Sequence, residues 1–162
     1  MSTWRKRSTT GRLTGIIGGG NFLTTKDSKY CTKDTKEVIM TDEEIFRKVL
    51  DCSFKVHTNL GPGLLESVYE SCLAFELEKA GLHVEKQKVM PLTYEGEILE
   101  TGYRIDLLVE CRIIVEIKSV EALNTVHLAQ ILTYLKLSKF KLGLLVNFNV
   151  SSLKAGIRRV IL

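Results

Sequence analysis

Apolar residues recur at helical spacing over the two segments that follow residue 40, and these segments predict a pair of helices. Thr41 followed by three acidic residues is a helix N-cap with a capping box, and Gly61-Pro62-Gly63 ends the first helix. The second helix is expected over residues 64–80 and is closed by Gly81. Its expected inward side chains are Leu64, Val68, Cys72, Phe75 and Leu77.

The rest of the chain alternates or stays apolar over shorter segments, which predicts strands with one helix among them. The expected elements are strands over 84–94, 98–109, 113–120 and 141–148, a helix over 125–137 capped by Asn124, and a short last strand over 157–162. The order helix, helix, three strands, helix, strand implies a mixed sheet flanked by helices, which is an α/β fold.

The second and third strands have a preferred register if they form a hairpin. A three-residue loop at 110–112 gives one wholly apolar face, on which Ile105 lies opposite Ile117. On the other face the same register sets Asp106 directly opposite Glu116. A two-residue loop mixes apolar and acidic side chains on both faces, so the pattern favours the first register.

Opposed carboxylates indicate a cation site. Two such groups repel each other unless a cation lies between them, and Mg²⁺ prefers oxygen ligands. Lys118 lies two residues beyond Glu116 on the same side, where an ammonium can orient a water and offset charge on a phosphate. Asp106, Glu116 and Lys118 therefore suggest a metal-dependent phosphodiesterase, although a solvated strand face explains the spacing about equally well.

Charge divides the chain into two parts. Residues 1–39 carry eight basic and three acidic side chains, whereas residues 40–162 carry 15 and 16, so the net charge of +4 belongs to the first part. The first part is also rich in Ser, Thr and Gly and has no sustained period, which predicts a flexible basic N-terminal extension before a single domain over 40–162.

Composition excludes several classes of protein. The chain is 44% hydrophobic and 26% charged, as in ordinary globular proteins, and no apolar run approaches the ~18 residues of a membrane-spanning helix. The four cysteines are widely scattered, with no C-x-x-C and no secretion signal, which predicts reduced thiols and a cytoplasmic location. The three histidines have no zinc-ligand spacing.

Two helix faces add polar residues to the picture. Glu66 shares a face of the second helix with Tyr69 and Glu70, and Gln130 shares a face of the later helix with Tyr134. Either pair alone is an ordinary polar helix edge. Taken in order, the segment Gly63-Leu-Leu-Glu66-Ser-Val-Tyr69, then Asp106, Glu116-Ile-Lys118 and Gln130-Ile-Leu-Thr-Tyr134, resembles the GxxExxY proteins of the PD-(D/E)XK nuclease-like superfamily.

The resemblance, which covers about 41–162, implies a restriction-endonuclease-like αβββαβ core and a set of site residues. It implies that Asp106, Glu116 and the Ile117 carbonyl bind Mg²⁺ or Mn²⁺ and that Lys118 positions the attacking water. It also implies that Glu66 contacts the metal directly or through water, and that Gln130 and Tyr134 help to hold the site and the nucleic-acid strand. Ile105 stands where many members of the superfamily have proline.

The expected function is hydrolysis of DNA or RNA phosphodiester bonds by a metal-dependent nuclease. The alternative is a non-catalytic nucleic-acid-binding or partner-binding protein that retains the fold, which the near-neutral charge of residues 40–162 favours. A local basic patch is conceivable, although a solvated surface is the simpler interpretation. Its members would be Lys136, Lys139, Lys141, Lys154, Arg158 and Arg159.

Overall fold

The computed structural model describes residues 40–162, so the predicted N-terminal extension, residues 1–39, lies outside the described residues. The elements are α1 (Asp42–Leu60), α2 (Glu66–Lys79), β1 (Val84–Tyr94), β2 (Glu97–Val109), β3 (Ile113–Lys118), α3 (Thr125–Ser138), β4 (Leu142–Asn147), α4 (Leu153–Gly156) and β5 (Ile157–Ile161). The predicted helices and strands are present in the predicted order, and the four-residue helix α4 is an addition to them.

A five-stranded mixed sheet forms the centre of the fold, with the strands in the order β1-β2-β3-β4-β5. Three neighbouring pairs are antiparallel, and only β3 and β4 run parallel. The helix α3 makes the connection between these two parallel strands, which cannot be joined by a tight turn. The αβββαβ core is therefore present, with β5 added at the far edge beside β4.

The helices cover both faces of the sheet. One face packs against α1 and α2 through a large apolar cluster that includes Val49, Leu73 and Val115. The opposite face packs against α3 through a smaller cluster that includes Ile114 and Ile131. Because β3 lies in the middle of the sheet and is covered on both sides, its residues up to Ile117 are all buried, which explains its nearly unbroken apolar sequence.

Local capping rules fix where α1 and α3 begin. The Thr41 backbone N–H donates to Glu44 Oε2 at 2.7 Å, and the Glu44 N–H donates to Thr41 Oγ1 at 3.3 Å, which completes the predicted capping box. Asn124 Oδ1 likewise accepts hydrogen bonds from the N–H groups of Val126 and His127. Both helices thus start at the residues expected from the sequence.

The predicted inward face of α2 is wrong for most of its members. Leu64, Val68 and Phe75 are exposed, with 61% of Phe75 accessible to solvent, and Cys72 is only partly buried. The helix instead buries Tyr69, Leu73, Ala74 and Leu77. Tyr69, whose ring stacks on Phe148 in the core, sets the buried face. This face is therefore shifted by about one residue along the sequence from the expected one, for example from Val68 to Tyr69.

Two further expectations concern the cysteines and the membrane. Cys52 and Cys72 are free thiols, whereas Cys111 is disulfide-bonded, so the expectation of reduced thiols is wrong for Cys111. Cys31 lies outside the described residues. No helix between residues 40 and 162 is long and apolar enough to span a membrane.

Candidate active site

The hairpin of β2 and β3 has the predicted loop and only part of the predicted pairing. Leu107, Leu108 and Val109 pair with Val115, Ile114 and Ile113, and residues 110–112 form the loop. The regular pairing of the two strands ends at Leu107 and Val115, one pair before Asp106 and Glu116.

Where the backbone pairing of β2 and β3 ends, the side chain of Asp106 pairs with β3 instead. Its Oδ2 accepts a hydrogen bond from the Ile117 backbone N–H at 2.9 Å. The predicted pairing of Ile105 with Ile117 on one apolar face is wrong, because Ile117 belongs to the cluster under α1 and α2, and Ile105 belongs to the cluster under α3. The strands therefore separate at Asp106, and its carboxylate fills the space between them.

Glu116 is a buried carboxylate with one unused oxygen. The residue is 1% exposed, and its Oε1 accepts a hydrogen bond from Lys118 Nζ at 2.7 Å. Its Oε2 has no hydrogen-bond partner within the described part of the chain. A buried charged oxygen without a partner costs free energy, so this atom is suited to a cation.

The acidic residues at this end of β3 shift one another's pKa values. Burial and the charge of Asp106 raise the pKa of Glu116 to about 7, against the lowering effect of Lys118. Burial also raises the pKa of Asp106, although the hydrogen bond from Ile117 opposes it. Burial lowers the pKa of Lys118, but the hydrogen bond and charge of Glu116 and the charges of Asp106 and Glu66 outweigh burial and raise it overall.

Glu66 reaches the end of β3 from the first residue of α2. Its Oε1 accepts a hydrogen bond from the Ser119 backbone N–H at 3.0 Å, directly after Lys118. Ser119 Oγ donates to the Leu64 carbonyl at 2.6 Å, which ties the same two segments together a second time. The start of α2 is thereby fixed against the exit of β3, where Asp106 and Glu116 also lie.

Tyr69 holds the turn that precedes Glu66. Its hydroxyl donates to the Gly61 carbonyl at 2.7 Å and accepts from the Leu64 N–H at 3.1 Å, while its ring lies 4.5 Å from the Phe148 ring. Gly61 and Gly63 both have positive φ, so the turn needs glycine at these positions. The Tyr of the G-x-x-E-x-x-Y segment is therefore a structural residue, fully buried, that orients its neighbour Glu66.

Asn147 fixes the chain on the other side of Lys118. Its Oδ1 accepts from the Val120 N–H at 3.1 Å, and its Nδ2 donates to the Val120 carbonyl at 2.8 Å. The Phe148 N–H donates to the Lys118 carbonyl at 2.9 Å. The backbone around Lys118 is thus held by β4 as well as by α2. No sequence motif indicated Asn147, whose signal was only a polar residue at the end of a buried strand.

The oxygen atoms at this end of β3 are of the kind that hard divalent cations prefer. A family model for the PD-(D/E)XK nuclease superfamily matches residues 43–160. The chain belongs to the PD-(D/E)XK nuclease superfamily. Nucleases of this superfamily generally use divalent metals and act on nucleic acid. No curated protein and no solved structure matches the chain.

In this PD-(D/E)XK domain, Gln130 and Tyr134 bind each other on α3. Gln130 Nε2 donates to Tyr134 Oη at 3.0 Å, and the Tyr134 ring stacks on Tyr103 at 4.7 Å. Among residues 40–162, no hydrogen bond or ion pair joins either side chain to Asp106, Glu116 or Lys118. The described contacts of the pair are thus with each other and with Tyr103, on the α3 side of the sheet.

Gln87 is a residue of the site that the sequence did not indicate. Its Nε2 donates to Glu70 Oε2 and lies 3.5 Å from Asp106 Oδ1. Glu70 shares the helix α2 with Glu66, so Gln87 connects this helix to Asp106. A single glutamine in a strand of mixed composition carries no recognisable signal, which is why it was missed.

The basic residues considered as a patch lie at different places. The helix α3 and the strand β4 run in opposite directions, so the end of α3 and the start of β4 lie at the end of the sheet opposite Lys118. Three of the basic residues lie there: Lys136, Lys139 and Lys141. Lys154 follows the other end of β4, and Arg158 lies in β5. Arg159 forms an ion pair with Glu43 at 2.7 Å. The six residues do not form one patch beside the site.

A second group of potential ligands lies away from the PD-(D/E)XK site. His83, Glu85 and Cys111 offer ligand atoms within 4.8 Å of one another near the turn between β2 and β3. The disulfide bond of Cys111 removes its thiolate from this set. The group is therefore not a metal site in this state of the protein.

Proposed function

We propose that this chain is a Mg²⁺-dependent nuclease that hydrolyses phosphodiester bonds of DNA or RNA. The observation that carries the proposal is the buried Glu116 carboxylate beside Asp106, with one oxygen that has no partner among the described residues. Mg²⁺ takes one or two carboxylates together with water and phosphate oxygens, and Mn²⁺ has similar preferences. We infer that Asp106, Glu116 and the Ile117 carbonyl hold the ion.

The remaining roles follow from chemistry and position. A divalent ion bound there would polarise the phosphate and lower the pKa of a coordinated water. Lys118, paired with Glu116 at 2.7 Å, carries the positive charge that orients the attacking water and offsets charge on the phosphate. Glu66, whose carboxylate accepts a hydrogen bond from the Ser119 N–H, would hold a coordinated water. Gln130 and Tyr134 support the nucleic-acid strand from the α3 side.

Membership of the GxxExxY group within the superfamily is part of the same proposal. Its support is the ordered set of motifs together with the function of Tyr69, which fixes the turn before Glu66 by two hydrogen bonds. A Tyr three residues after Glu66 thus has a role in folding, because at this spacing the hydroxyl reaches back to the turn.

The test is cleavage of single-stranded and double-stranded DNA and RNA by the full chain with Mg²⁺ or Mn²⁺. We expect Asp106→Asn and Lys118→Ala to lose at least about 100-fold in rate, since each removes a charge that acts in the transition state. Asparagine at 106 can still accept the Ile117 hydrogen bond, so the fold should be retained. Lys136→Ala, at the opposite end of the sheet, is the control. Equal cleavage by all variants, or none by wild type, would refute the proposal.

The alternative function is metal-independent binding of nucleic acid or of another protein. The near balance of 15 basic and 16 acidic side chains over residues 40–162 favours this alternative over the nuclease, because proteins that act on nucleic acid usually present a basic surface. Fluorescence anisotropy with labelled oligonucleotides in EDTA separates the two functions. Tight, salt-sensitive binding that Asp106→Asn does not change, without any cleavage in Mg²⁺, would support the alternative.

A further inference from the structure

We propose that Gln87 is a positioning residue for Asp106 and that a hydrogen bond to Glu70 orients the Gln87 amide. This inference rests on the proposed function, because it assigns Gln87 a role in presenting Asp106 to the divalent cation. The three side chains come from different elements, β1, α2 and β2, so the interaction is tertiary and is absent from any local motif.

The contacts form a chain from α2 to the site. Gln87 Nε2 makes a hydrogen bond to Glu70 Oε2 and approaches Asp106 Oδ1 to 3.5 Å. Both acceptors are carboxylates, and the contact with Glu70 is the closer one, so Glu70 dominates the orientation of the amide. The amide then faces Oδ1 of Asp106, while Oδ2 is held by the Ile117 N–H at 2.9 Å.

The backbone at Gln87 is unusual in a way that supports this role. Gln87 has φ +50°, in the left-handed region that residues other than glycine seldom adopt inside a strand. Lys86 pairs with Leu107 and Lys88 pairs with Ile105, so Gln87 lies at the level of Asp106. The pairing of β1 with β2 keeps the same register before and after Gln87, so the distortion of β1 is confined to this residue.

The partner strand is distorted at the same level. Ile105 and Leu107 would share a face in a regular strand, yet they belong to clusters on opposite faces of the sheet. Distorted backbone that tertiary structure maintains tends to occur at functional sites. Here it brings Gln87 and Asp106 together beside α2, and we infer that the amide limits rotation of the Asp106 carboxylate.

The experiment compares Mn²⁺ affinity, measured by calorimetry, with thermal unfolding of the metal-free full chain. Gln87→Gly removes the amide and favours the left-handed backbone, so we expect an unchanged or higher melting temperature and about 10-fold weaker Mn²⁺ binding. Glu95→Gly is the matched control, because Glu95 also has φ +50° but lies in the β1–β2 turn. It should gain stability similarly and bind Mn²⁺ as wild type does.

Glu70→Gln provides a second variant that leaves the backbone of β1 unchanged. We expect it to weaken Mn²⁺ binding less than Gln87→Gly does, and to have no further effect in the Gln87→Gly background, because Glu70 acts through Gln87. Wild-type Mn²⁺ affinity in Gln87→Gly would overturn this inference and leave the proposed function intact. Absence of Mn²⁺ binding by the wild-type chain would overturn the proposed function and this inference with it.

Discussion

Replacing Glu116 with glutamine is expected to remove a pH dependence of stability from the metal-free protein. Burial and the charge of Asp106 raise the pKa of Glu116 from an ordinary 4.5 to about 7 in the folded state. Between these two values the folded protein therefore holds a proton that the unfolded chain releases. Stability consequently falls as the pH rises through this window, and the Glu116→Gln variant lacks that loss.

The magnitude follows from the size of the shift. A pKa that rises from 4.5 to about 7 corresponds to about 3 kcal/mol, of which roughly 2 to 3 kcal/mol is lost between pH 5 and pH 8. Burial also raises the pKa of Asp106 above its ordinary 3.8, so Asp106 adds a loss of the same sign that begins near that lower pH. The pKa of Lys118 is raised above its ordinary 10.5, and its contribution therefore stays constant over this range.

The assay is urea unfolding in EDTA at several pH values from 5 to 8. With about 1–2 kcal/mol per M for a domain of this size, the wild-type midpoint should fall by about 1 to 3 M relative to Glu116→Gln. Glu78→Gln, on the exposed side of α2, should follow the wild type. Parallel curves for wild type and Glu116→Gln would show that Glu116 titrates normally, and the argument for a cation at its free oxygen would fail.

Three further substitutions test the supports of the site and the hairpin. Tyr69→Phe loses both hydrogen bonds to the glycine-proline turn and should cost about 1–3 kcal/mol in urea unfolding, whereas the exposed Tyr94→Phe should cost almost nothing. Asn147→Ala leaves the part-buried N–H and carbonyl of Val120 unpaired and should cost about 1–3 kcal/mol; a loss below about 0.5 kcal/mol would contradict the role assigned to it. Gly102→Ala would place a Cβ 1.6 Å from the Met90 carbonyl oxygen, so amide exchange in the β1–β2 hairpin should accelerate while exchange in β3 stays unchanged. Unaltered hairpin exchange would show that the strand accommodates the methyl group.

Elements governed by local rules could be predicted from the sequence. The capping box at Thr41, the Asn124 cap and the three-residue loop at 110–112 depend on residues within a few positions of one another, and all are present. The buried strand β3 was recognisable because both of its faces meet helices and its sequence is nearly all apolar. These features together were enough to predict the α/β fold.

Features that depend on distant partners could not be predicted in this way. The inward face of α2 is set by Tyr69 against Phe148, which lies far along the chain, so periodicity alone chose the wrong residues. The direct pairing of Asp106 with Glu116 assumed a regular hairpin, whereas the Asp106 side chain replaces the backbone as the acceptor for Ile117. Side-chain hydrogen bonds of this kind are invisible to rules of alternation.

The end of β3 explains why the candidate site and the fold depend on the same side chains. Where the strand leaves regular pairing, the N–H groups of Ile117, Ser119 and Val120 are satisfied by Asp106, Glu66 and Asn147. The donors at Ile117 and Val120 are part-buried and the donor at Ser119 is exposed, and their hydrogen bonds hold the two carboxylates in place before any ligand binds. Two of the three acceptors are acidic, and an anion accepts such bonds more strongly than an amide does. The requirement to satisfy the backbone thus gathers negative charge beside Glu116, and a cation is the group that most simply compensates it.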